Sequence, residues 1–265
     1  MQSGKEVVIV IPVYKEVLTE AERISLEQVL RVMYNHDFSL VCPADLNETP
    51  YTHYFDQQGV KVDIQRFDNT YFKSIEGYNR LLLSHEFYAR FEKWEYILIH
   101  QLDCLVLKDE LKKWVATDYD YIGSPWVDTD RTFRVYESLN YSRWRWLGWL
   151  KRRIDFNRGE YVTVGNGGFS LRKVKRFRKI SLALSVFFSR HLKGHLNEDY
   201  VWSILVPKYF AKFKVPAAVM ASNFALEKVS SSIDLDAIES LPMAVHAWEK
   251  YYPEWWNSLL TKYGK

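Results

Sequence analysis

Cysteine is scarce in this sequence of 265 residues, which contains only Cys42 and Cys104. Two cysteines at this spacing provide neither a disulfide framework nor metal-ligand spacing. Because both lie in apolar, strand-like runs, we expect buried free thiols in a reducing compartment. No stretch approaches the roughly 18 consecutive apolar residues that a membrane span needs. The first apolar run, residues 7–11, ends in Pro12 rather than at a signal-cleavage site. These absences predict a soluble cytoplasmic protein.

Aromatic residues and unevenly distributed charge are abundant by contrast. Hydrophobic residues make up 48% of the chain and aromatic residues 16%, which predicts a folded core and excludes a disordered protein. Residues 141–179 contain twelve Lys or Arg and two acidic residues, whereas the whole chain has a net charge of only +3. The other residues of the chain therefore carry a net charge of −7. Such asymmetry is typical of a protein that meets an anionic partner.

Strand-like and helical patterns alternate over the first 125 residues. The spacing predicts strands over 7–12, 38–42, 60–67, 96–100 and 119–122, and helices after Thr19, over 71–91, after Asp109 and over 197–206. Within the helix over 71–91, Ile75, Leu82 and Phe87 are expected to point inward. Residues 161–171 read as strand, glycine turn and strand. Alternation of this kind predicts an α/β fold with a mostly parallel sheet and helices on both faces.

Asp103 is the sharpest chemical feature of the sequence. It follows directly after the predicted strand over 96–100, at the edge where open α/β sheets bind ligands. Its neighbours Ile99 and Leu105 are apolar, so an unpaired ionised carboxylate here is costly. A bound Mg²⁺ or Mn²⁺ would relieve that cost. A turn or helix-capping aspartate explains the local pattern equally well, and both interpretations stay open.

Several motifs resemble those of one enzyme family. The run His100-Gln101-Leu102-Asp103-Cys104 resembles the Asp-x-Asp element of GT-A glycosyltransferases, in the Gln-x-Asp form of a family of predicted bacterial glycosyltransferases known only as a domain of unknown function. The resemblance covers most of the chain through Ile11-Pro12-Val13-Tyr14-Lys15, Gly77-Tyr78-Asn79, Asp120-Tyr121-Ile122-Gly123-Ser124-Pro125-Trp126, Gly165-Asn166-Gly167-Gly168-Phe169-Ser170-Leu171-Arg172, Asn197-Glu198-Asp199 and His246. It implies a single GT-A domain, 1–265, with a nucleotide-sugar-binding half at 1–125 and an acceptor-binding half at 126–265.

The resemblance also implies roles for particular residues. Asp103 and the late His246 are expected to ligate the metal, and an imidazole ligand favours Mn²⁺ over Mg²⁺. Asn197-Glu198-Asp199 is similar to the x-Glu-Asp motif of inverting enzymes. Asp199 is then the base that deprotonates the acceptor hydroxyl, and Glu198 binds an acceptor hydroxyl or orients the loop.

The expected donor site follows from the same resemblance. Pro12, Tyr14 and Lys15 are expected to cradle the nucleotide, with Tyr14 stacking and Lys15 neutralising phosphate. The other donor-site residues implied are Asn79, which reaches the nucleotide from its helix; Gln101, which replaces the first Asp of the element; and Gly167 and Gly168, which lie beneath the donor sugar.

Residues 141–153 combine Trp with Lys and Arg in a way that is typical of an interfacial segment. A second basic run, residues 172–179, is expected to extend the same face. We predict contact with an anionic membrane surface at the inner face of the membrane. A lid over the active site and a packed surface helix are the alternatives.

These features together predict a metal-dependent glycosyltransferase. It transfers a sugar from a nucleoside-diphosphate donor, a UDP-sugar by preference, to a glycan or lipid-linked glycan, with inversion. No nucleic-acid partner is expected. A nucleotidyltransferase and a non-catalytic carbohydrate-binding module are the alternatives.

Overall fold

The computed structural model describes residues 5–127, 161–191, 197–228, 241–251 and 253–263. The strands are β1 (Lys5–Pro12), β2 (Asp37–Pro43), β3 (Val62–Phe67), β4 (Trp94–His100), β5 (Cys104–Val106), β6 (Tyr121–Val127), β7 (Tyr161–Lys173), β8 (Ala225–Leu226) and β9 (Ala244–His246). The helices are α1 (Glu20–Val32), α2 (Thr49–Gln57), α3 (Ile75–Leu83), α4 (His85–Ala89), α5 (Leu111–Val115), α6 (Val174–His191), α7 (Glu198–Tyr200), α8 (Val206–Tyr209), α9 (Ala218–Ala221) and α10 (Pro253–Tyr263). A 3₁₀ turn occupies Asn69–Tyr71, and a π-helical turn, Val201–Leu205, joins α7 to α8.

The central sheet has six strands in the order β3-β2-β1-β4-β7-β6. The first four are mutually parallel, whereas β7 runs antiparallel to both β4 and β6. Alternate residues of β1 enter cores on opposite faces: Val7, Ile9 and Ile11 pack with α1 and α2, and Val8 and Val10 pack with α3, α4 and α6. The predicted α/β class, with a mostly parallel sheet covered on both faces, is therefore confirmed.

A second sheet, of order β5-β9-β8, sits beside the carboxyl ends of the parallel strands. In it Cys104 pairs with His246, and Leu226 pairs with Val245. This pairing carries a residue from near the end of the sequence to the turn that holds Asp103. In the central sheet, His100 at the end of β4 pairs with Phe169 of β7. Residues 165–168 therefore lie just beyond the end of β4.

The helix after Thr19 forms as predicted. Thr19 and Glu22 make the reciprocal hydrogen bonds of a capping box, and Leu26, Leu30 and Met33 are fully buried. Both cysteines are free and buried, as expected.

The long helix predicted over 71–91 is wrong. The segment consists of the 3₁₀ turn followed by α3 and α4, which are separated at Ser84. Ser84 has an extended backbone, and its hydroxyl accepts a hydrogen bond from the amide of Phe87, so it starts a new helix. Leu82 and Phe87 are buried as expected, but Ile75 is 78% exposed. Helix α2, with a proline in its first turn, is an element that the sequence patterns did not reveal.

The glycine turn predicted within 161–171 is also wrong, because β7 is one continuous strand through Gly165-Asn166-Gly167-Gly168. Register shifts in its pairing with β6 take the place of a turn. A Cβ on Gly123 of β6 would lie 2.3 Å from the carbonyl oxygen of Asn166, so glycine permits the close approach of the two strands.

The boundary predicted at 125/126 falls inside β6, and the division into two halves stays a prediction. Among the described residues, none of the helices has the length and apolar character needed to cross a bilayer. The basic segment 141–153 lies outside the described residues.

Candidate active site

A cavity of about 650 Å³ opens at the carboxyl edge of the parallel strands. All the residues that the sequence analysis assigned to a site line this cavity: Pro12, Tyr14, Lys15, Asn79, Gln101, Asp103, Gly167, Gly168, Glu198, Asp199 and His246. The cavity wall combines residues of β1, β7, β9, α1, α2, α3 and α7 with the turn between β4 and β5, so its residues come from positions 12 to 246. That these residues share one cavity is a geometric fact; the role of each is a proposal.

Asp103 and His246 face each other across the cavity floor. Asp103 lies in the turn between β4 and β5, and its Oδ2 is 3.3 Å from Nε2 of His246. Burial opposes ionisation of Asp103, yet the His246 ring outweighs it and lowers the carboxyl pKa. Burial likewise opposes protonation of His246, but the carboxylates of Asp103 and Glu227 raise its pKa to about 9. Two carboxylates thus stabilise a cation at this position.

The ring of His246 fits a metal ligand because its nitrogens face the carboxylates of Asp103 and Glu227, at 3.3 and 3.6 Å, without a hydrogen bond of normal geometry to any described residue. Asp103, Cys104 and His246 each offer an atom, all within 4.8 Å of one another. The Cys104 thiol instead points to the carbonyl oxygen of Gly168 at 3.3 Å, and burial raises its pKa well above the usual value. A carboxylate and an imidazole are therefore the donors that suit Mn²⁺.

The two glycines of β7 are required by close contacts in the cavity wall. A Cβ on Gly168 would lie 2.3 Å from Nε2 of His246, and a Cβ on Gly167 would lie 2.2 Å from Oε1 of Glu198. The Gly168 carbonyl also accepts a hydrogen bond of 2.9 Å from the amide of Gln101. Larger residues at either position would displace a site side chain.

Glu198 forms a buried ion pair with Arg172. Each of its carboxylate oxygens accepts a hydrogen bond of 2.8 Å from a different guanidinium nitrogen. Arg172 is 0% exposed and Glu198 4%, and Tyr88 lies 3.0 Å from the same guanidinium. The expectation that residues 172–179 form one basic surface run is therefore wrong at Arg172. Of the two roles expected for Glu198, this geometry favours orienting the loop over binding an acceptor hydroxyl.

Asp199, the next residue, is in a different environment. It is partly buried, and its Oδ1 accepts a hydrogen bond of 2.7 Å from the amide of Tyr200. Burial, followed by the negative charge of Glu198, raises the pKa of the Asp199 carboxyl to about 7. The two adjacent carboxylates thus differ in their chemistry. Glu198 is held in an ion pair with Arg172, whereas the raised pKa of Asp199 allows it to gain or lose a proton near neutral pH.

The loop after β1 lies against α1 and α2. Tyr14 is 61% exposed, which leaves its ring free to stack. Lys15 is already paired, since its Nζ lies 2.8 Å from Oε2 of Glu22 and its carbonyl accepts a hydrogen bond from Tyr51. The Lys15 charge is therefore largely offset by protein. Lys73, at the cavity mouth, is exposed and forms no ion pair with the described residues.

Asn79 and Gln101 line the cavity while contacting protein partners. Oδ1 of Asn79 accepts a hydrogen bond of 3.2 Å from the amide of Glu198, and Nδ2 lies 3.4 Å from Asn197. Nε2 of Gln101 lies 3.4 Å from the hydroxyl of Tyr78. Asn79 thus fastens the start of α7 to α3, a role that the sequence motif did not reveal.

Sequence reasoning missed Arg172 as a site residue, and it missed Glu227 and Lys73. Arg172 was missed because the basic residues that follow it in the sequence made it resemble part of a surface run. Glu227 becomes visible only through the pairing of β8 with β9, and Lys73 only through its place at the cavity mouth.

The fold is that of the GT-A glycosyltransferases. The Mn/GDP form of core-mannan synthase A (CmsA/Ktr4) from Aspergillus fumigatus superposes with a TM-score of 0.50 at 10% identity, covering 77% of this chain and 70% of that one. Apo GlyE from Streptococcus pneumoniae TIGR4 gives 0.52 at 13% identity, covering 96% and 60%. At such identities the likeness shows the fold alone.

The chain belongs to the family described as "Protein of unknown function (DUF5672)", which matches residues 61–246. This family and the GT-A neighbours agree with the resemblance drawn from the motifs. No curated protein matches the chain in sequence.

Proposed function

We propose that this protein is a metal-dependent glycosyltransferase that moves a sugar from a nucleoside-diphosphate donor to a glycan or lipid-linked glycan acceptor, with inversion at the anomeric carbon. A UDP-sugar is the favoured donor. The observation that carries the proposal is that one cavity holds Asp199, whose carboxyl pKa is raised to about 7, together with Asp103 and His246, whose side chains lie 3.3 Å apart.

The charges of the cavity wall support the need for a metal ion. Of its charged residues, Lys15 is paired with Glu22, and Glu198 is paired with Arg172 behind the wall. A diphosphate entering the cavity would therefore find little unpaired positive charge, because Asp103 and His246 face each other and Lys73 is the wall cation without an ion pair to a described residue. A divalent cation held by Asp103 and His246 would supply the missing positive charge and stabilise the departing diphosphate. The Mn/GDP form of core-mannan synthase A has such an ion and nucleotide in a GT-A fold.

The chain's own residues account for the proton and the geometry of transfer. Asp199 takes the proton of the acceptor hydroxyl as that oxygen attacks the anomeric carbon, and its raised pKa suits a base that works near neutrality. The ion pair between Arg172 and Glu198, together with Asn79, holds the start of α7 and so fixes the position of Asp199. Tyr14 offers an exposed ring for the nucleobase.

The proposal is tested by a panel of UDP- and GDP-sugars in a thermal-shift and hydrolysis assay, with Mn²⁺ or with EDTA. We expect a nucleotide to stabilise the protein more when Mn²⁺ is present, because a ligand stabilises the state that binds it. Asp103→Ala should abolish the metal-dependent part. Equal nucleotide affinity with EDTA and Mn²⁺ would remove the metal from the proposal. Binding without turnover of any donor would indicate a carbohydrate- or nucleotide-binding module.

A further inference from the structure

The second sheet aligns three functional groups in one row. Cys104 of β5 pairs with His246 of β9, and the parallel pairing of Leu226 with Val245 places the next residue, Glu227, beside His246. Oε1 of Glu227 lies 3.6 Å from Nδ1 of His246, whereas Oδ2 of Asp103 lies 3.3 Å from Nε2. The imidazole is therefore held between two carboxylates, one at each nitrogen.

We propose that Glu227 is a positioning residue for the ion site: it keeps the proton of His246 on Nδ1 and so presents Nε2 to the metal. This inference rests on the proposed function, and it deepens the description of the same site. A histidine can give only one nitrogen to a metal, and the partner of the other nitrogen decides the tautomer and the ring orientation.

The placement of Glu227 argues against direct ligation. Its carboxylate faces the ring nitrogen opposite to the one that faces Asp103, and Glu227 is not among the residues that line the cavity. Asn166, in the cavity wall, lies against the same carboxylate. Glu227 thus connects β7 with His246 from behind the ion site.

The steric contact at Gly168 strengthens the requirement for a fixed ring. With Nε2 only 2.3 Å from where a Gly168 Cβ would stand, His246 occupies a narrow slot between β7 and β5. A ring that turned over would present carbon instead of nitrogen to Asp103. A charged acceptor at Nδ1 favours the productive orientation, because an unpaired buried N–H is costly.

The test is Mn²⁺ binding to the full chain, measured by the loss of the free-ion signal in electron paramagnetic resonance. We expect Glu227→Ala to weaken Mn²⁺ binding about 10- to 100-fold, the usual effect of removing such a partner. Glu227→Gln should lose less, because its amide oxygen keeps an acceptor facing Nδ1. Glu249→Gln, an exposed residue three positions after His246, is the matched control and should bind as the unchanged protein does.

The melting temperature of each metal-free variant is measured in parallel. A lowered melting temperature with unchanged Mn²⁺ affinity would show a merely structural role and overturn the proposal. If Glu227→Gln binds Mn²⁺ as poorly as both Glu227→Ala and His246→Ala do, then Glu227 is a direct metal ligand and the positioning role is also overturned. If Asp103→Ala abolishes binding while Glu227→Ala does not weaken it, the positioning role fails and the proposed function stands. If the unchanged protein binds no Mn²⁺, both fail.

Discussion

Removing the charge of Glu198 should lower the stability of the protein, whereas removing the charge of the adjacent Asp199 should raise it at pH 8. Glu198→Gln leaves Arg172 buried at 0% exposure without its counter-charge. Removing one partner of a buried ion pair costs about 3–5 kcal/mol. For a protein of this length, 1 kcal/mol corresponds to a change in melting temperature of about 2 °C, so the expected fall is about 6–10 °C.

Asp199→Asn should stabilise the protein at pH 8. The folded pKa of Asp199 is about 7 and its ordinary value is 3.8. A raised acid pKa gives stability that is complete below pH 3.8 and is lost as the pH rises through 7. The ionised carboxylate therefore costs up to about 4 kcal/mol at pH 8, since each pKa unit corresponds to about 1.4 kcal/mol. The amide carries no such cost, and the gain should disappear near pH 4.

The assay is calorimetric unfolding of both variants at pH 4 and pH 8, with Glu249→Gln as the exposed control. Glu198→Gln melting within 2 °C of the unchanged protein would refute the importance of the ion pair with Arg172. A fall in stability for Asp199→Asn at pH 8 would refute the raised pKa. Because Glu198 contributes to that pKa, the double variant is expected to deviate from additivity.

Three further predictions concern catalysis and the surface. Gly168→Ala should displace His246 and reduce Mn²⁺-dependent nucleotide binding at least about tenfold, measured by calorimetry. Gly59→Ala is the control: its Cβ meets open space, so it shows the effect of adding a Cβ at a positive φ away from the site. Asp199→Asn should lower transfer at least about a hundredfold, and kcat/KM of the unchanged enzyme should fall as the pH drops below about 7; a flat profile from pH 5 to 8 would contradict this role. The protein should co-sediment with anionic but not neutral liposomes, and less of it should do so at high salt. The double variant Arg152→Glu/Arg153→Glu should no longer co-sediment, while its transfer to a soluble acceptor persists. No binding to anionic liposomes at low salt would favour the interpretation of residues 141–153 as a lid over the active site.

Local patterns were sufficient for much of the fold, whereas most candidate site residues came from the resemblance to a known family. The β-branched run of β1 and the capping box of α1 depend on neighbours in sequence, and both formed as expected. Asp103 was found because the end of a buried strand marks the binding edge of an α/β sheet. Its role, like that of Asp199, is still a prediction.

Contacts between distant residues explain what the patterns missed. Arg172 resembles the surface lysines and arginines that follow it, and only its pairing with Glu198, 26 residues away, shows that it is buried. Glu227 reaches His246 through strand pairing that no periodicity encodes. Ser84 interrupts the predicted helix because its hydroxyl accepts a hydrogen bond from the amide of Phe87 and so starts a new helix. The spacing of apolar residues gives no sign of such a hydrogen bond.

The continuity of β7 determines which parts of the site can move. Gly167 and Gly168 belong to a strand in the middle of the sheet, and the Gly168 carbonyl is bonded to the amide of Gln101. The Gly168 amide donates a hydrogen bond of 2.9 Å to Oδ1 of Asn166, so both backbone polar groups of this residue are bonded and its amide should exchange slowly with solvent. This part of the cavity wall is thus held in place by hydrogen bonds to Gln101 and Asn166. The segment around Lys73, which is exposed, should exchange its amide hydrogens faster than this strand does.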